Sequence, residues 1–366
     1  MENAVLTEQG RETFRVLLLS WYQLNARDLP WRHTRDPYRI WVSEVMLQQT
    51  RAAAVVARYT QFIERFPSIV ALALAREEEV VALWSGLGYY RRARMLHSAA
   101  QLLMKEHGGS LPKSSLELRR LPGVGDYTAA AIASIARGEA VAVIDGNVER
   151  VLMRVLGKGA GSRGASAARL KEVASWLLAP KAPGTFNQAM MELGATVCLP
   201  HGPLCGSCPV REFCRTQGEH PVRPRKQMVS VKSHYALVKK AAGRHVEVLL
   251  VQRPPNASQM PGMWELPTLG DHDLIESKVS EPALRIRHSI TNKNFYVQVF
   301  PLEVETFSRL ASASDSEKQD WVAASNLPEI PLTGLARKIL MRLDVLAKPR
   351  QVRQGKALPG ADDEFL

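Results

Sequence analysis

The sequence lacks any apolar run close to the ~18 residues that a membrane-spanning helix needs. Residues 1–10 also lack the basic and apolar segments of a secretory signal, which predicts an intracellular, reducing location. Cysteine is scarce, because the 366-residue chain has four and all lie between Cys198 and Cys214. In a reducing location such a group predicts a metal or cluster site in preference to disulfides.

Acidic residues are outnumbered: 36 Asp and Glu face 48 Lys and Arg, a formal net charge of +12. This excess predicts a polyanionic partner, with nucleic acid first and an anionic membrane surface second. Hydrophobic residues make up 46% of the chain, which is enough for a sizeable buried core. The length of the chain predicts two domains.

The first half of the chain has few of the alternating apolar and polar runs that half-buried strands produce. Apolar residues recur there at three- and four-residue spacing, which predicts an all-α domain over residues 1–216. Proline and arginine are frequent in residues 217–230, which predicts a linker. An α+β domain is predicted over residues 231–347 and a disordered tail over residues 348–366. The β-rich runs are His234–Val238, Val246–Val251 and Phe295–Pro301, and Gly334–Leu346 is predicted to be a helix.

A glycine-rich turn, Leu121-Pro-Gly-Val-Gly-Asp126, stands between two helical runs. Glycines at 123 and 125 let another backbone approach closely, and the N–H groups of Gly123, Val124 and Gly125 would point outward from the start of a helix. Such a turn suits a DNA phosphate. The alternative is an ordinary packing turn between two helices, and the turn alone does not separate the two.

Glu44 lies in the run Trp41-Val-Ser-Glu-Val-Met-Leu-Gln-Gln-Thr50. On a helix, Glu44, Leu47 and Gln48 share one face. A carboxyl group among apolar neighbours has a raised pKa, as a general acid that protonates a purine needs. The alternative is a surface glutamate whose apolar neighbours face inward.

Asp145 follows four apolar residues and precedes a helix that Asn147 could cap. Asp145 itself either belongs to that cap or is a carboxylate at the rim of a pocket. In the second case it could stabilise the positive charge that develops on a sugar as its glycosidic bond breaks.

The cysteines follow the spacing Cys198-x6-Cys205-x2-Cys208-x5-Cys214. Four cysteines in so short a segment can enclose one tetrahedral zinc or one cubane cluster. Zinc sites usually show two close pairs, whereas only the middle pair is close here. Zinc remains the rival interpretation, and a disulfide pair is the third.

These motifs together resemble the MutY family of adenine DNA glycosylases, in the helix–hairpin–helix superfamily that includes endonuclease III. The resemblance covers most of the first 220 residues, with the motifs in the family's order and spacing. It implies a [4Fe–4S] cluster on the four cysteines and removal of adenine mispaired with 8-oxoguanine or guanine in duplex DNA. Gly262-Met-Trp-Glu-Leu-Pro267 resembles the Nudix-like C-terminal domain of the same family. An Arg-Glu-x-x-Glu-Glu pattern is absent, which implies a binding module without hydrolase activity.

The resemblance also implies roles for individual residues. Glu44 would protonate adenine and Asp145 would stabilise the oxocarbenium ion, while Tyr127 and Asn147 place these two groups. Strand-cleaving members of the superfamily have a lysine at the position of Tyr127, so lyase activity should be essentially absent. The residues implied to line the adenine pocket are Arg27, Leu29, Trp31, Arg32, Leu47 and Gln188. The residues implied to contact DNA are Gln49, Thr50, Leu87, Tyr89, Gly123, Val124, Gly125 and Thr291.

The run His288-Ser-Ile-Thr-Asn292 departs from the family. The 8-oxoguanine loop of the family usually reads His-Thr-Phe-Ser-His. Thr291 keeps a hydroxyl group where serine is expected, but Ile290 replaces an aromatic residue and Asn292 replaces histidine. We therefore predict recognition of the damaged base with weaker discrimination against ordinary A:G mispairs.

Two other functions remain open at the level of sequence. One is a thymine or uracil mismatch glycosylase, which differs in the base that it releases. The other is a catalytically inactive DNA-binding protein, against which the presence of both Glu44 and Asp145 argues. The resemblance implies a monomer that acts in the bacterial cytoplasm on nucleoid DNA.

Overall fold

The computed structural model describes residues 7–157, 166–219, 228–243, 245–277, 281–290, 293–311 and 318–347. The predicted tail, residues 348–366, and most of the predicted linker lie outside these ranges. Within them, no helix combines the length and the apolarity that crossing a bilayer requires.

The first part of the chain is helical, as the spacing of its apolar residues predicts. Its helices are α1 (Glu8–Asn25), α2 (Pro37–Leu47), α3 (Ala52–Arg65), α4 (Ile69–Leu74), α5 (Glu77–Leu83), α6 (Arg91–His107), α7 (Ser115–Leu118), α8 (Asp126–Arg137), α9 (Gly146–Val155), α10 (Ala167–Leu177) and α11 (Pro183–Thr196). Side chains satisfy N–H groups at several helix starts. Thr7 caps α1, and Ser114 forms a capping box with Glu117 at the start of α7.

Two apolar cores form inside the helical part. The first is built from α2, α3, α5, α6 and α8 and contains the fully buried Trp41 and Trp84. The second is built from α1, α9, α10 and α11 around residues such as Phe14. The two lobes meet along α8 and α11, where a Cβ atom on Gly184 would lie 2.6 Å from the carbonyl oxygen of Ser134. The candidate catalytic residues come from helices at this junction.

The second part of the chain is a mixed sheet flanked by helices, which confirms the predicted α+β class. Its elements are β1 (Val229–Ala242), β2 (His245–Gln252), β3 (Trp264–Glu265), β4 (Thr268–Leu269), α12 (Asp271–Ser277), β5 (Leu284–Ile290), β6 (Lys293–Leu302), α13 (Val304–Ala311), β7 (Lys318–Ala323) and α14 (Gly334–Arg342). The strand order is β3-β2-β1-β6-β5, with β4 paired to β1 and β7 to β2. Strands β1 and β6 run parallel. One face of the sheet packs on α14 and the other on α12 and α13.

Buried polar contacts hold the two parts together at the segment between α5 and α6. Arg337 of α14 donates from Nε to the Ser85 hydroxyl at 2.6 Å, and the Tyr90 hydroxyl donates to the Leu332 carbonyl at 3.3 Å. Met263 of the second part joins the first apolar core. The segment that follows Ser85 is therefore fixed between the two domains.

The boundaries differ from the prediction in three places. Strand β1 begins at Val229, inside the predicted linker, because its first residues pair with β6. At the other end of the linker, Gln217 donates its backbone N–H to the Cys214 sulfur at 3.5 Å, so it belongs to the cysteine loop. The last predicted helix is shorter and ends at Arg342, because the following residues turn back and pack Leu346 into the core of the sheet.

Candidate active site

Glu44 lies on α2 where the two helical lobes meet, and the residue is only 4% exposed. Its Oε2 accepts a hydrogen bond from the Tyr127 hydroxyl at 2.5 Å. Burial raises the pKa of Glu44 to about 7; the Tyr127 hydrogen bond opposes this rise and the charge of Asp145 adds to it. The alternative of a surface glutamate is therefore wrong, and the side chain has the surroundings that a general acid needs.

Asp145 is the N-cap of α9. Its carboxylate accepts hydrogen bonds from the backbone N–H groups of Asn147 at 3.0 Å and Val148 at 2.7 Å, and from the Asn147 amide at 2.8 Å. The prediction that Asn147 caps the helix is wrong, because Asn147 lies inside the first turn. Three donors hold the Asp145 carboxylate in one orientation, close enough to Glu44 for its charge to affect the glutamate pKa. One residue thus serves as a helix cap and as a catalytic candidate.

A chain of hydrogen bonds leads from Asp145 to the cysteine loop. Arg150 donates to the Asn147 side-chain oxygen at 2.9 Å and to the Gly194 carbonyl at 2.6 Å. Its Nε donates to the Cys198 carbonyl at 2.8 Å. Gly194 of α11 makes room for this packing, since a Cβ atom there would lie 2.6 Å from the Cβ of Asn147. The orientation of Asp145 therefore depends on how α9 packs against α11 and the loop.

A second buried carboxylate, Glu192 of α11, joins two of the predicted pocket residues. Its fully buried side chain accepts from the Arg27 guanidinium at 2.7 Å and from Arg32 at 2.6 Å. Burial alone would raise the pKa of Glu192, but these hydrogen bonds bring it down to about 2. Sequence reasoning missed Glu192. The available signal is an acidic residue in the apolar run Ala189-Met-Met-Glu-Leu193.

The remaining predicted pocket residues fall into two groups. Leu29 and Trp31 are buried in the first core, and Leu47 packs at its edge. Gln188 accepts a hydrogen bond from the Tyr22 hydroxyl at 3.3 Å. The core-packing interpretation therefore holds for Leu29 and Trp31. A place for all four in a pocket for the base stays a prediction.

Three separate segments of predicted DNA-contacting residues meet at one surface cavity of about 520 Å³. The cavity is lined by Gln48, Gln49, Tyr89, Arg91, Arg92, Met95, Gly123, Val124 and Gly125. Gln49 and Tyr89 have φ angles of 55° and 49°, in the left-handed region that non-glycine residues rarely adopt. Tyr89 is 51% exposed. Next to them, the Thr50 hydroxyl donates to the carbonyl of the buried Leu87 at 3.3 Å.

Helices α7 and α8 and the turn between them form the predicted helical hairpin. Gly123 has a φ of 76°, and a Cβ atom there would lie 2.8 Å from the Cβ of Met95, so glycine is required. Gly125 is the N-cap of α8. The first N–H groups of a helix have no intrahelical partners, and such a helix start suits an anion.

The four cysteines lie on the loop that follows α11. Cys198, Cys205, Cys208 and Cys214 line one cavity of about 30 Å³, and none of them forms a disulfide, which contradicts the disulfide alternative. Arg154 donates to the Cys198 sulfur at 3.3 Å. Burial raises the pKa of Cys208 to about 11, and the charges of the other three cysteines add to the rise. Among the described residues, no three His, Cys, Asp or Glu side chains are grouped to hold a single metal ion.

The predicted 8-oxoguanine loop is only partly described. His288 and Ser289 belong to β5 and pair with Phe295 and Asn294 of β6. Thr291 lies outside the described residues.

The fold and the candidate catalytic residues define a class of DNA repair protein. A family model of HhH-GPD superfamily base excision DNA repair proteins matches residues 42–175, which contain Glu44, Tyr127 and Asp145. The structure of a thermostable thymine-DNA glycosylase is 31% identical with a TM-score of 0.53, covering 57% of this chain and 97% of that one. The all-α part of the chain therefore has the HhH-GPD glycosylase fold.

Curated relatives narrow this class. The adenine DNA glycosylase of Schizosaccharomyces pombe is 30% identical over an alignment of 414 positions, covering 91% of this chain and 89% of the relative. The adenine DNA glycosylase of Homo sapiens is 40% identical over 313 residues, covering 70% of this chain and 57% of the relative. The chain belongs to the adenine DNA glycosylase family. It spans about half the length of the first mammalian and plant relatives that it matches.

Proposed function

We propose that the chain hydrolyses the N-glycosidic bond of adenine in duplex DNA where the adenine pairs with 8-oxoguanine or guanine. The observation that carries this proposal is the buried Glu44, whose pKa of about 7 keeps a proton available near neutral pH. Protonating the ring makes adenine a better leaving group, and a carboxyl with a pKa near the working pH is suited to that step. The proposal that the base is adenine rests on the relatives, which are adenine DNA glycosylases.

Asp145 is the proposed partner of Glu44 in the reaction. Positive charge develops on the sugar as the glycosidic bond breaks, and a fixed carboxylate stabilises it. The three donors around Asp145 hold its carboxylate before the substrate arrives, so little reorganisation is needed during the reaction. In this proposal Asn147 positions Asp145, and Tyr127 positions Glu44.

The proposed reaction ends with a free base and an intact strand. Glycosylases that also cleave the strand use an amine that forms a Schiff base with the sugar. Tyr127 supplies no amine, and its hydroxyl is donated to Glu44. Burial also raises the pKa of Tyr127 well above its usual value, so its hydroxyl stays protonated and serves as a donor.

Duplex DNA is the proposed partner of the surface cavity lined by Gln49, Tyr89 and the glycine turn at residues 123–125. The target adenine leaves the base stack to reach Glu44, and Gln49 and Tyr89 enter the stack in our proposal. We propose that Thr291 contacts the opposite purine. Because the run 288–292 departs from the family pattern, the preference for 8-oxoguanine over guanine should be weaker. The chain would act as a monomer in the bacterial cytoplasm.

The four cysteines are the proposed ligands of a [4Fe–4S] cluster. An all-thiolate set around one cavity fits such a group, and Arg154 at the Cys198 sulfur offsets part of the negative charge. When bound, the group supplies a rigid anchor for the loop whose Cys198 carbonyl accepts from Arg150. A brown protein with iron–sulfur absorbance supports this assignment. A colourless, zinc-loaded protein contradicts it.

The experiment that tests the activity is a single-turnover assay on duplexes with A:8-oxoguanine, A:G and T:G pairs. We expect adenine release, with strand breaks only after alkali treatment, and no release by Glu44→Gln. Glu64→Gln, an exposed glutamate on α3, is the matched control. Thymine release would instead support the function named for the similar thymine-DNA glycosylase. Binding without release of either base would indicate a DNA-binding protein.

A further inference from the structure

Arg92, in the first turn of α6, is a partly buried cation at the edge of the surface cavity that Gln49 and Tyr89 line, and the proposed chemistry does not use it. Its two terminal nitrogens lie within hydrogen-bond distance of six acceptors, which share the four N–H groups of those nitrogens. The acceptors are the carbonyls of Val45 (2.7 Å), Met46 (3.0 Å), Gln48 (2.5 Å), Leu87 (3.3 Å) and Gly88 (3.1 Å) and the Thr50 hydroxyl (3.1 Å). One side chain thus joins the segment after α2 to the segment before α6.

The end of α2 needs donors from outside the helix. The last carbonyls of a helix have no intrahelical partner, and a nearby cation complements the helix dipole. Helix α2 has no basic residue in its last turn, and its C-cap Gln48 has a ψ of 116° that ends the helical path. Arg92 supplies from another helix the cation that α2 lacks.

The same hydrogen bonds bracket two residues with unfavourable backbone conformations. Gln49 lies between Gln48 and Thr50, which both accept from Arg92. Tyr89 directly follows Gly88, which also accepts from Arg92. Both have φ angles in the left-handed region, where non-glycine residues persist only when their surroundings impose it. The Arg92 guanidinium also lies 5.6 Å from the centre of the Tyr89 ring. These two side chains are the ones that we propose enter the base stack.

Arg92 is not placed to bind a DNA phosphate. Its two terminal nitrogens are occupied by protein acceptors, its Nε is buried without a hydrogen-bond partner among the described residues, and its guanidinium carbon lies 5.5 Å from the centre of the Trp84 ring. Burial lowers the pKa of Arg92 to about 10, which leaves the group charged at neutral pH. The neighbouring Arg91 is exposed and lines the same cavity, so it is the better candidate for a phosphate contact.

We propose that Arg92 is a positioning residue that holds the backbones of Gln49 and Tyr89 in register, so that both side chains enter the base stack together when the target base is extruded. This inference rests on the proposed function and deepens it. Without the guanidinium fork the two segments keep the hydrogen bond from the Thr50 hydroxyl to the Leu87 carbonyl but lose the Arg92 bonds that fix their spacing. A misplacement of about 1 Å can cost on the order of 100-fold in rate. Lysine keeps the charge but lacks the planar fork that spans these acceptors.

The test compares the wild type, Arg92→Lys and Arg169→Lys, the last being a conservative change of a surface arginine on α10. Three quantities are measured: single-turnover excision of adenine opposite guanine, the Kd for a duplex without a mispair, and base extrusion. Extrusion is followed by the fluorescence of 2-aminopurine at the target position, in proteins that also carry Glu44→Gln.

We expect Arg92→Lys to lose about 100-fold in excision and most of the fluorescence rise, with its Kd for the mispair-free duplex within about 2-fold of the wild type. The Arg169→Lys protein should match the wild type in all three. Wild-type excision and fluorescence in Arg92→Lys would overturn the proposal. Two other results would also overturn it: an equal loss of excision and of affinity for the duplex without a mispair, or an Arg92→Lys protein that does not fold. Either result would mean that Arg92 maintains the overall fold. If the wild type released no adenine, the proposed function would fail, and the fluorescence would still decide the role of Arg92.

Discussion

Tyr127 donates its hydroxyl to Glu44 at 2.5 Å, across the contact between α8 and α2. Helix α8 begins at Asp126, directly after the glycine turn that we propose binds a DNA phosphate. The residue that holds the candidate general acid is therefore in the first turn of the same helix. The proposed DNA contact and the Tyr127 hydroxyl that holds Glu44 therefore lie at the same end of α8.

Removing this hydrogen bond should raise the pKa of Glu44 further, because the Tyr127 hydroxyl lowers it. If protonated Glu44 is the active form, Tyr127→Phe should keep excising adenine at higher pH. The measurement is the single-turnover rate from about pH 6 to about pH 9, with an expected upward move of the alkaline limb by about one pH unit. A midpoint that stays in place or moves to lower pH would contradict this prediction.

The burial of Glu44 should also be visible in stability. Its folded pKa of about 7 lies above its ordinary value of 4.5, so the folded state binds the proton more tightly and loses stability as the pH rises between these values. Glu44→Gln removes the ionisation and should increase the free energy of unfolding by on the order of 3 kcal/mol at about pH 8. Denaturant unfolding at about pH 4 should show little of this gain. An equal gain at both pH values would refute the assignment to ionisation.

Glu192 should have the opposite pH dependence. Its folded pKa of about 2 lies below its ordinary value of 4.5, so its contribution is present above pH 4.5 and is lost as the pH falls towards 2. Glu192→Gln leaves Arg27 and Arg32 without their buried partner and should cost on the order of 2–3 kcal/mol at neutral pH. Unfolding curves of the variant and the wild type should converge in acid. Curves that stay equally far apart at every pH would exclude an ion-pair origin.

Gly194→Ala should disturb the active site from a distance. The added methyl group would meet the Cβ of Asn147 at 2.6 Å and push α9 away from α11. We expect a loss of ~1–3 kcal/mol in stability and slower excision, because Asn147 holds Asp145. Gly146→Ala is the control for stability, since its methyl group meets no atom within 4 Å. If both variants unfolded at the same temperature, the prediction that close packing requires glycine at 194 would be wrong.

Much of the site could be predicted from the sequence because its signals are local. The glycine turn, the cysteine spacing and the apolar run around Glu44 each occupy a short segment, and the structure brings the first and third to adjoining helices. The prediction of Asn147 as a helix cap was wrong because Asp145 and Asn147 are both good capping residues. Which of them caps depends on where α9 begins, and α9 begins directly after Asp145. Glu192 was missed because its partner Arg27 is 165 residues away along the chain.

The sequence by itself determined the helical class of the first domain, the mixed class of the second and the residue types that carry the family resemblance, because spacing and composition act between near neighbours. Only the tertiary structure decided which of these residues interact and how those interactions change their pKa values and orientation. The pKa of Glu44 depends on burial between two lobes and on Tyr127 and Asp145, which arrive from other helices. The six acceptors of Arg92 likewise come together only when the end of α2 and the segment before α6 meet at this side chain. Such interactions depend on distance in space, which periodicity along the chain does not encode.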